Sequence, residues 1–318
     1  MDVAVIGLGL IGGSLLRALA AAGHRVTGFD ADPDSRAAAA AAGCTVAGSV
    51  PEAVVGAELV ALAVPLPVLP LVLDQLAGYD GLVTDVTSVK GPVRDLAAKH
   101  GLHRFVGGHP MAGKETSGFA ASDARLFDGC AWVLCLEPDG TKLGDWLTLA
   151  VLCTGLGARV VPMTAAEHDR AVAEVSHVPH LVAAALARQL AGNPPAATLA
   201  AGSFRDGTRV AATRAELIVA MCGGNATEVG TALRALIVDL ERMGEALATD
   251  PARLLTPIVA TAGELRRGWP AASGEPVEMR AGIGELLALG RAGGWVTAVG
   301  RDRAALSTMR PETDRFSS

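Results

Sequence analysis

The chain has 318 residues, of which half are apolar and 19% are charged, and its net charge is −6. A chain of this length and apolar content can bury a large core and commonly forms about two domains. The acidic balance argues against a nucleic-acid-binding surface, and no basic run could hold an anionic membrane. Five cysteines without a C-x-x-C pair are typical of free thiols in a reducing compartment, so we expect a cytoplasmic protein.

The first half of the chain alternates short apolar runs with segments of helical length. Residues 2–6 form an apolar run that ends at Gly7, residues 12–22 have helical composition, and residues 24–30 have the pattern of a second strand. Further strands are predicted at 58–64, 81–85, 104–106, 130–136 and 158–161. This alternation predicts an α/β fold whose N-terminal domain, residues 1–163, is a Rossmann-type doubly wound sheet.

The pattern changes after Pro162. Residues 164–272 are dominated by Ala- and Leu-rich segments with a 3.6-residue period, which predicts an all-helical C-terminal domain for substrate binding and dimerisation. The apolar face of residues 229–247 is the candidate homodimer interface, although it could equally pack within one subunit. The short tail, 273–318, has apolar runs that predict a small βαβ-like piece, either a packing element or a remnant of a regulatory module of the ACT type.

A glycine-rich loop, Gly7-Leu8-Gly9-Leu10-Ile11-Gly12, joins the first predicted strand to the first helix. In a dinucleotide-binding fold, Gly7 permits the tight turn, Gly9 lets the backbone approach the pyrophosphate, and Gly12 allows close packing of the helix on the strand. Unsatisfied N–H groups at the start of the helix, where Leu10 and Ile11 lie, would hold the phosphates.

The end of the second predicted strand supplies an acidic residue. Asp30 follows Gly12 by 18 residues, at the position where a carboxylate accepts hydrogen bonds from the adenosine ribose. It would also repel a 2′-phosphate, by about 4 kcal/mol for unit charges about 4 Å apart at an effective dielectric constant of about 20. The sequence therefore predicts NAD as the cofactor.

Ser88 and His109 follow consecutive predicted strands of the parallel sheet. Ligands bind outside the carboxyl ends of such strands, so both side chains can face one cleft. A neutral His109 ring could accept a hydroxyl proton as hydride leaves the same carbon, and Ser88 could hold the ring, the substrate or the cofactor. If His109 is the base, the rate should rise with pH through roughly 6.5.

The segment 107–118, GGHPMAGKETSG, looks like the signature of the prephenate/arogenate dehydrogenase family of tyrosine biosynthesis. The nucleotide loop and the Ser88-Val89-Lys90 segment are similar to the corresponding parts of that family. Further matches lie in the C-terminal half, at 167–169, 176–180 and 204–211, and the resemblance runs from Met1 to about Asn225. It implies an NAD-dependent oxidative decarboxylation of prephenate to 4-hydroxyphenylpyruvate, with arogenate and 4-amino-4-deoxyprephenate as alternative substrates.

The resemblance also implies roles for residues in the second half. Arg209 would bind a substrate carboxylate with its planar donors, His180 and His177 would line the substrate pocket, and Glu115 would lie at its mouth. No metal is expected, because hydride transfer to a nicotinamide needs none.

One position departs from the family pattern within the loop that carries Ser88, which we call the serine loop. Thr87 stands where the family often has a small residue, so it could narrow the cleft beside Ser88. The segment around Ile218 also lacks an expected tryptophan. Both departures concern the substrate side and leave the substrate identity open.

Two other classes of protein remain as alternatives. A β-hydroxyacid dehydrogenase has a similar two-domain design but uses a lysine base on its helical domain, where this chain offers His177 and His180. A non-catalytic NAD-binding module would need the glycine-rich loop but not Ser88, His109 and Arg209 together.

Overall fold

The computed structural model describes residues 1–114 and 116–312 and contains two six-stranded sheets. The first sheet is entirely parallel, with the strand order β3-β2-β1-β4-β5-β6. Its strands are β1 (Asp2–Ile6), β2 (Arg25–Phe29), β3 (Thr45–Val46), β4 (Leu59–Leu62), β5 (Leu82–Asp85) and β6 (Phe105–Val106). The predicted parallel sheet of the N-terminal domain is confirmed, although the sequence pattern missed the two-residue strand β3.

The second sheet was not predicted from the sequence. It has the order β10-β12-β11-β9-β8-β7 and contains both parallel and antiparallel pairs. Its strands are β7 (Gly108–Pro110), β8 (Ala131–Cys135), β9 (Arg159–Met163), β10 (Val277–Arg280), β11 (Trp295–Val299) and β12 (Ala305–Met309). The chain crosses between the sheets at Gly107, so His109 begins a new sheet instead of ending a strand of the first one.

The described residues include fourteen α-helices. They are α1 (Leu10–Ala21), α2 (Pro33–Ala41), α3 (Val50–Ala53), α4 (Leu69–Asp74), α5 (Gly91–Lys99), α6 (Leu143–Gly155), α7 (Ala165–Val172), α8 (Val178–Ala187), α9 (Pro194–Leu199), α10 (Gly202–Thr208), α11 (Ala215–Gly224), α12 (Ala226–Thr249), α13 (Pro251–Arg267) and α14 (Ile283–Arg291). A π-helical turn, Ala173–His177, joins α7 to α8. It lies just before Pro179, which has no N–H for a regular helical bond.

The first sheet is covered on both faces, as a doubly wound fold requires. Val3 and Val5 of β1 belong to one apolar cluster, which also holds Trp146 of α6, whereas Ala4 and Ile6 belong to the cluster on the opposite face. This separation follows from the two-residue period of a strand, which points successive side chains to opposite faces. The larger cluster continues to the second sheet, so the two sheets share one core.

The C-terminal tail is part of the second sheet and not a separate piece. Strand β11 pairs antiparallel with β9 through Val296 and Val160, and β12 and β10 follow outward. Leu286, Leu289 and Leu306 of the tail are buried in the larger core cluster. The predicted strands and helix of the tail are therefore present, but they form a β–α–β–β arrangement that extends the N-terminal domain.

The second half up to α13 is helical, as predicted. It has a small core of its own, in which Ala173, Val178 and Val229 are buried. Within residues 1–114 and 116–312, no helix combines the length and the hydropathy that a membrane span needs.

Candidate active site

The glycine-rich loop between β1 and α1 has the shape that a dinucleotide requires. Gly7 adopts a positive φ of 100°, and a Cβ there would overlap the carbonyl oxygen of Ala63. A Cβ on Gly12 would overlap the carbonyl oxygen of Gly7, so only glycine lets α1 start this close to the turn. At Gly9, by contrast, nothing lies within 4 Å of the position that a Cβ would take, which leaves open space beside the backbone for a phosphate group.

Asp30 follows β2 and turns its carboxylate to this loop. Its Oδ2 accepts a hydrogen bond from the backbone N–H of Leu8 at 2.6 Å, and its Oδ1 accepts one from Asp32 at 2.9 Å. Arg36 fixes the same turn by donating to the carbonyl oxygen of Asp30 at 2.6 Å. Each carboxylate oxygen keeps a second lone pair, so Asp30 can hold the loop and still accept a ribose hydroxyl.

His109 lies at the centre of a hydrogen-bonded chain of side chains. Its Nδ1 is 2.8 Å from Nε2 of His168, and Nδ1 of His168 is 2.7 Å from Oδ1 of Asp169. Because an ionised Asp169 can only accept, His168 donates to it from Nδ1 and accepts from His109 at Nε2. This order of donors leaves Nε2 of His109 as the nitrogen that can take a proton.

The charge state of these groups follows from their burial. Burial lowers the pKa of His109 well below 6.5, and the nearby His168, Lys90 and His177 lower it further. Burial also lowers the pKa of His168 and outweighs the opposite influence of Asp169. His109 is therefore neutral at ordinary pH, because its pKa lies well below the value of roughly 6.5 on which the expected rise in rate was based.

Asp169 links the helical half of the chain to the serine loop. Its Oδ1 and Oδ2 accept hydrogen bonds from the backbone N–H groups of Lys90 and Gly91, both at 2.8 Å, at the start of α5. Burial opposes ionisation of Asp169, but its hydrogen bonds with His168, Gly91 and Lys90 outweigh that effect and lower its pKa. One carboxylate thus orients His168 and also anchors the loop that carries Ser88.

The residues on either side of Ser88 in the sequence include a buried ion pair between Lys90 and Asp85. Lys90 Nζ also donates to the carbonyl oxygen of Gly108 at 2.6 Å, and Oδ1 of Asp85 accepts from the Gly108 N–H at 3.1 Å. The Thr87 hydroxyl donates to Asp85 and lies 3.2 Å from Lys90 Nζ. The Thr87 hydroxyl therefore points to the ion pair, and the expectation that Thr87 narrows the cleft beside Ser88 stays a prediction.

His177 and His180 occupy different environments although they share one helical segment. His177 is fully buried, and its Nδ1 is 3.3 Å from Nδ2 of Asn225, which donates to the carbonyl oxygen of Asp169 at 2.7 Å. Burial lowers the pKa of His177 to about 4, although the Ser88 backbone favours the protonated form. Nε2 of His177 has no hydrogen-bond partner of ordinary geometry within the described part of the chain.

His180 is grouped with the segment that contains Arg209. Its Nδ1 lies 3.3 Å from the carbonyl oxygen of Val210, so α8 holds the short 3₁₀ helix Arg209–Ala212 against it. Arg209 itself is exposed. The Ser88 backbone and the His109 ring thus both lie near His177, and His180 lies beside the segment that contains Arg209, while Glu115 lies outside the described residues.

His168 and Asp169 were not among the site residues predicted from the sequence. A usable signal was present, because Thr164 and Glu167 form a capping box that starts α7 directly after β9 and fixes where the next two residues lie. Among residues 1–114 and 116–312, no group of three or more His, Cys, Asp or Glu side chains is arranged to hold a metal ion.

Comparison with known proteins gives two family matches that together cover most of the chain. Residues 15–162 match the family described as prephenate dehydrogenase, nucleotide-binding domain, and residues 164–259 match prephenate dehydrogenase, dimerization domain. A relative named prephenate dehydrogenase from Bacillus subtilis is 36% identical over 227 residues. That stretch is 66% of this chain, and the chain spans only 60% of the length of the relative.

Two solved structures are similar over most of their length. Prephenate dehydrogenase from Aquifex aeolicus, in complex with hydroxyphenyl propionate and NAD⁺, has a TM-score of 0.78 at 28% identity and covers 84% of this chain and 97% of its own. Arogenate dehydrogenase from Synechocystis has a TM-score of 0.74 at 28% identity and covers 84% of this chain and 99% of its own. Together with the two family matches, these similarities show that the chain belongs to the prephenate dehydrogenase family.

Proposed function

We propose that this protein is an NAD-dependent dehydrogenase that converts prephenate to 4-hydroxyphenylpyruvate and CO₂. The observation that carries the proposal is the hydrogen-bonded chain of His109, His168 and Asp169, together with a glycine-rich loop that has an open position at Gly9. Gly7, Gly9 and Gly12 would hold NAD together with the N–H groups of Leu10 and Ile11 and the Asp30 carboxylate. When bound, NAD⁺ supplies the hydride acceptor.

The side chains of this protein would handle the proton and orient the substrate. His109 accepts the proton of the ring hydroxyl at Nε2, while its Nδ1–H stays bonded to His168. Ser88 would hold the substrate hydroxyl or the nicotinamide side of the cofactor. Loss of the ring carboxylate as CO₂ leaves an aromatic ring, so the overall conversion is effectively irreversible.

We assign substrate binding to four side chains, those of Arg209, His180, His177 and Glu115. A guanidinium group can form two parallel hydrogen bonds with a carboxylate, which suits Arg209 for one of the two carboxylates of prephenate. The contact of His180 with Val210 supports placing His180 beside that arginine. His177 would act from beneath the Ser88 loop, because it is fully buried.

Arogenate and 4-amino-4-deoxyprephenate are the alternative substrates. Each differs from prephenate by an amino group, and a family that contains both prephenate and arogenate dehydrogenases leaves this choice open. The test is NADH formation by the purified protein with NAD and each compound offered separately. Turnover of prephenate supports the proposal, turnover of arogenate alone changes the substrate, and NAD binding without any turnover favours a non-catalytic module.

The pH dependence of turnover follows from the charge state of His109. Because the pKa of His109 is held well below 6.5, the base stays neutral as the pH falls from 8 through 6.5. We expect kcat/KM to remain nearly constant over that interval and to fall only in more acidic solution, where His109 becomes protonated. A profile of kcat/KM between pH 5 and 9 checks this, and a half-maximal point near 6.5 would contradict it.

We further propose a homodimer in the cytoplasm, in which residues 1–163 bind the dinucleotide and residues 164–272 supply the substrate side and the dimer contact. The free cysteines support the location.

On α12, an apolar stripe recurs at helical spacing. Its first part, including Val229, is covered by the same chain, whereas Leu240 and Leu247 farther along it are 53% and 61% exposed. Such an uncovered continuation suits a second copy.

Replacing Leu240 by glutamate should therefore weaken the dimer, because a carboxylate would be buried in an apolar contact. Light scattering coupled to size-exclusion chromatography measures the change in mass. The matched control is Thr231→Glu, which adds the same charge on the opposite side of α12. Equal masses for both variants would contradict the assigned interface.

A further inference from the structure

The C-terminal tail contacts both sides of the junction between β9 and α7. These tail residues lie beyond the two matched family regions, which end at residue 259, and the proposed reaction does not use them. On one side of the junction, Gly290 of α14 lies directly against the carbonyl oxygen of Pro162, where any Cβ would overlap it. This close backbone contact fixes α14 on the last residues of β9.

On the other side of the junction, Arg291 reaches the first turn of α7. Its Nε donates to Oε1 of Glu167 at 2.6 Å. The other oxygen of Glu167 accepts from the backbone N–H and the hydroxyl of Thr164, at 2.8 and 2.9 Å, and completes the capping box of α7. Arg291 therefore holds the side chain that sets the direction in which α7 begins.

The residues that follow Glu167 are the ones that position His109. His168 and Asp169 lie on the same turn, and the 2.8 Å hydrogen bond from His109 to His168 joins the second sheet to this helix. We propose that Arg291 is a positioning residue, whose ion pair with Glu167 keeps α7 in place so that His168 stays bonded to His109. The effect on turnover rests on the proposed function, but the effect on α7 does not.

The exposure of the Arg291–Glu167 pair indicates that it affects the position of α7 more than the stability of the whole protein. The Arg291 side chain is 60% exposed and that of Glu167 is 26% exposed. Pairs this exposed contribute little to the stability of the whole protein, so the fold should survive the loss of Arg291. The hydrogen bond between two histidines is more sensitive, because catalytic groups that move by about 1 Å can lose up to about 10²-fold in rate.

The experiment compares Arg291→Met, Arg291→Lys and the control Arg303→Met in the full chain. Arg303 is another tail arginine, and it donates to the Thr148 hydroxyl of α6 at 2.9 Å, away from α7. Arg291→Met should lower kcat roughly three- to tenfold with an unchanged KM for NAD and an unchanged melting temperature. Arg291→Lys should recover part of the loss, and Arg303→Met should match the wild type. Equal kcat values for Arg291→Met and Arg303→Met would overturn the proposal.

A second measurement needs no substrate. Amide hydrogen exchange of the purified protein, followed by mass spectrometry, should show faster exchange in Ala165–Val172 for Arg291→Met but not for Arg303→Met. If the wild type turns over neither prephenate nor arogenate, the proposed function fails, and exchange alone then decides the role of Arg291. Unchanged exchange in α7 would overturn that role whatever the substrate is.

Discussion

Replacing His109 by asparagine is expected to lower kcat by roughly 10²- to 10⁴-fold, the range that a positioned general base contributes. Asparagine keeps a polar side chain of similar reach but cannot accept and retain a proton. NAD binding should be unchanged, because the glycine-rich loop and Asp30 have no hydrogen bond to His109 among the described contacts. Steady-state NADH formation gives kcat, and fluorescence titration gives the affinity for NAD.

The control for this variant is His103→Asn, which makes the same exchange at an exposed histidine of the same domain. It should leave both kcat and NAD affinity at wild-type values. Unchanged kcat in His109→Asn would remove His109 from the mechanism and leave the buried histidines as a structural feature. Loss of NAD binding in that variant would instead indicate that the ring supports the cofactor site.

The parts of this site that the sequence predicted are those encoded within a few residues. The glycine-rich loop, Asp30 and Ser88 each follow a strand whose apolar run is visible in the sequence, and a turn places each of them next to that strand. Local structure therefore places each of them at the end of a strand, although contacts with distant residues then fix Asp30 and the Ser88 loop. His109 was also predicted as a site residue, whereas the crossing between the two sheets at Gly107 was not predicted, because a three-residue strand carries too little pattern to show which sheet it joins.

The parts that were missed depend on contacts between distant residues. His109 and His168 are 59 residues apart, and their hydrogen bond exists only because α7 packs beside the serine loop. The low pKa of His109 has the same origin, since burial by several elements is not visible in a single segment. The tail likewise has strands that a pattern can indicate, but its pairing with β9 is a property of the folded chain.

Thr87 illustrates how the surroundings of a loop decide where a polar group points. It stands where the family often has a small residue, and its hydroxyl bonds to Asp85 and lies beside the Lys90 ammonium group. A buried ion pair needs its remaining donors and acceptors satisfied, so the polar group is directed inward. The direction of a loop side chain is thus decided by the charges beneath it and not by its neighbour in sequence.

Replacing Asp169 by asparagine should lower kcat by roughly 10²- to 10⁴-fold, comparable with the loss seen when a carboxylate no longer fixes the tautomer of a catalytic histidine. The carboxylate of Asp169 accepts three hydrogen bonds, from His168 at 2.7 Å and from the backbone of Lys90 and Gly91 at 2.8 Å. An amide has one accepting oxygen, so it cannot satisfy all three donors. His168 would then be free to adopt the tautomer that donates at Nε2. His109 would have to accept that hydrogen bond at Nδ1, which places its own proton on Nε2, so Nε2 could no longer accept a proton from the substrate.

The matched control is Asp95→Asn, at a carboxylate of α5 that is 68% exposed and bonds to Arg94. Both variants should bind NAD normally, and thermal unfolding should show that Asp169→Asn remains folded, with a melting temperature somewhat below that of the control. A kcat for Asp169→Asn equal to that for Asp95→Asn would mean that the tautomer of His168 is immaterial. In that case the carboxylate serves only to anchor the Ser88 loop, and His109 acts without support from the helical half of the chain.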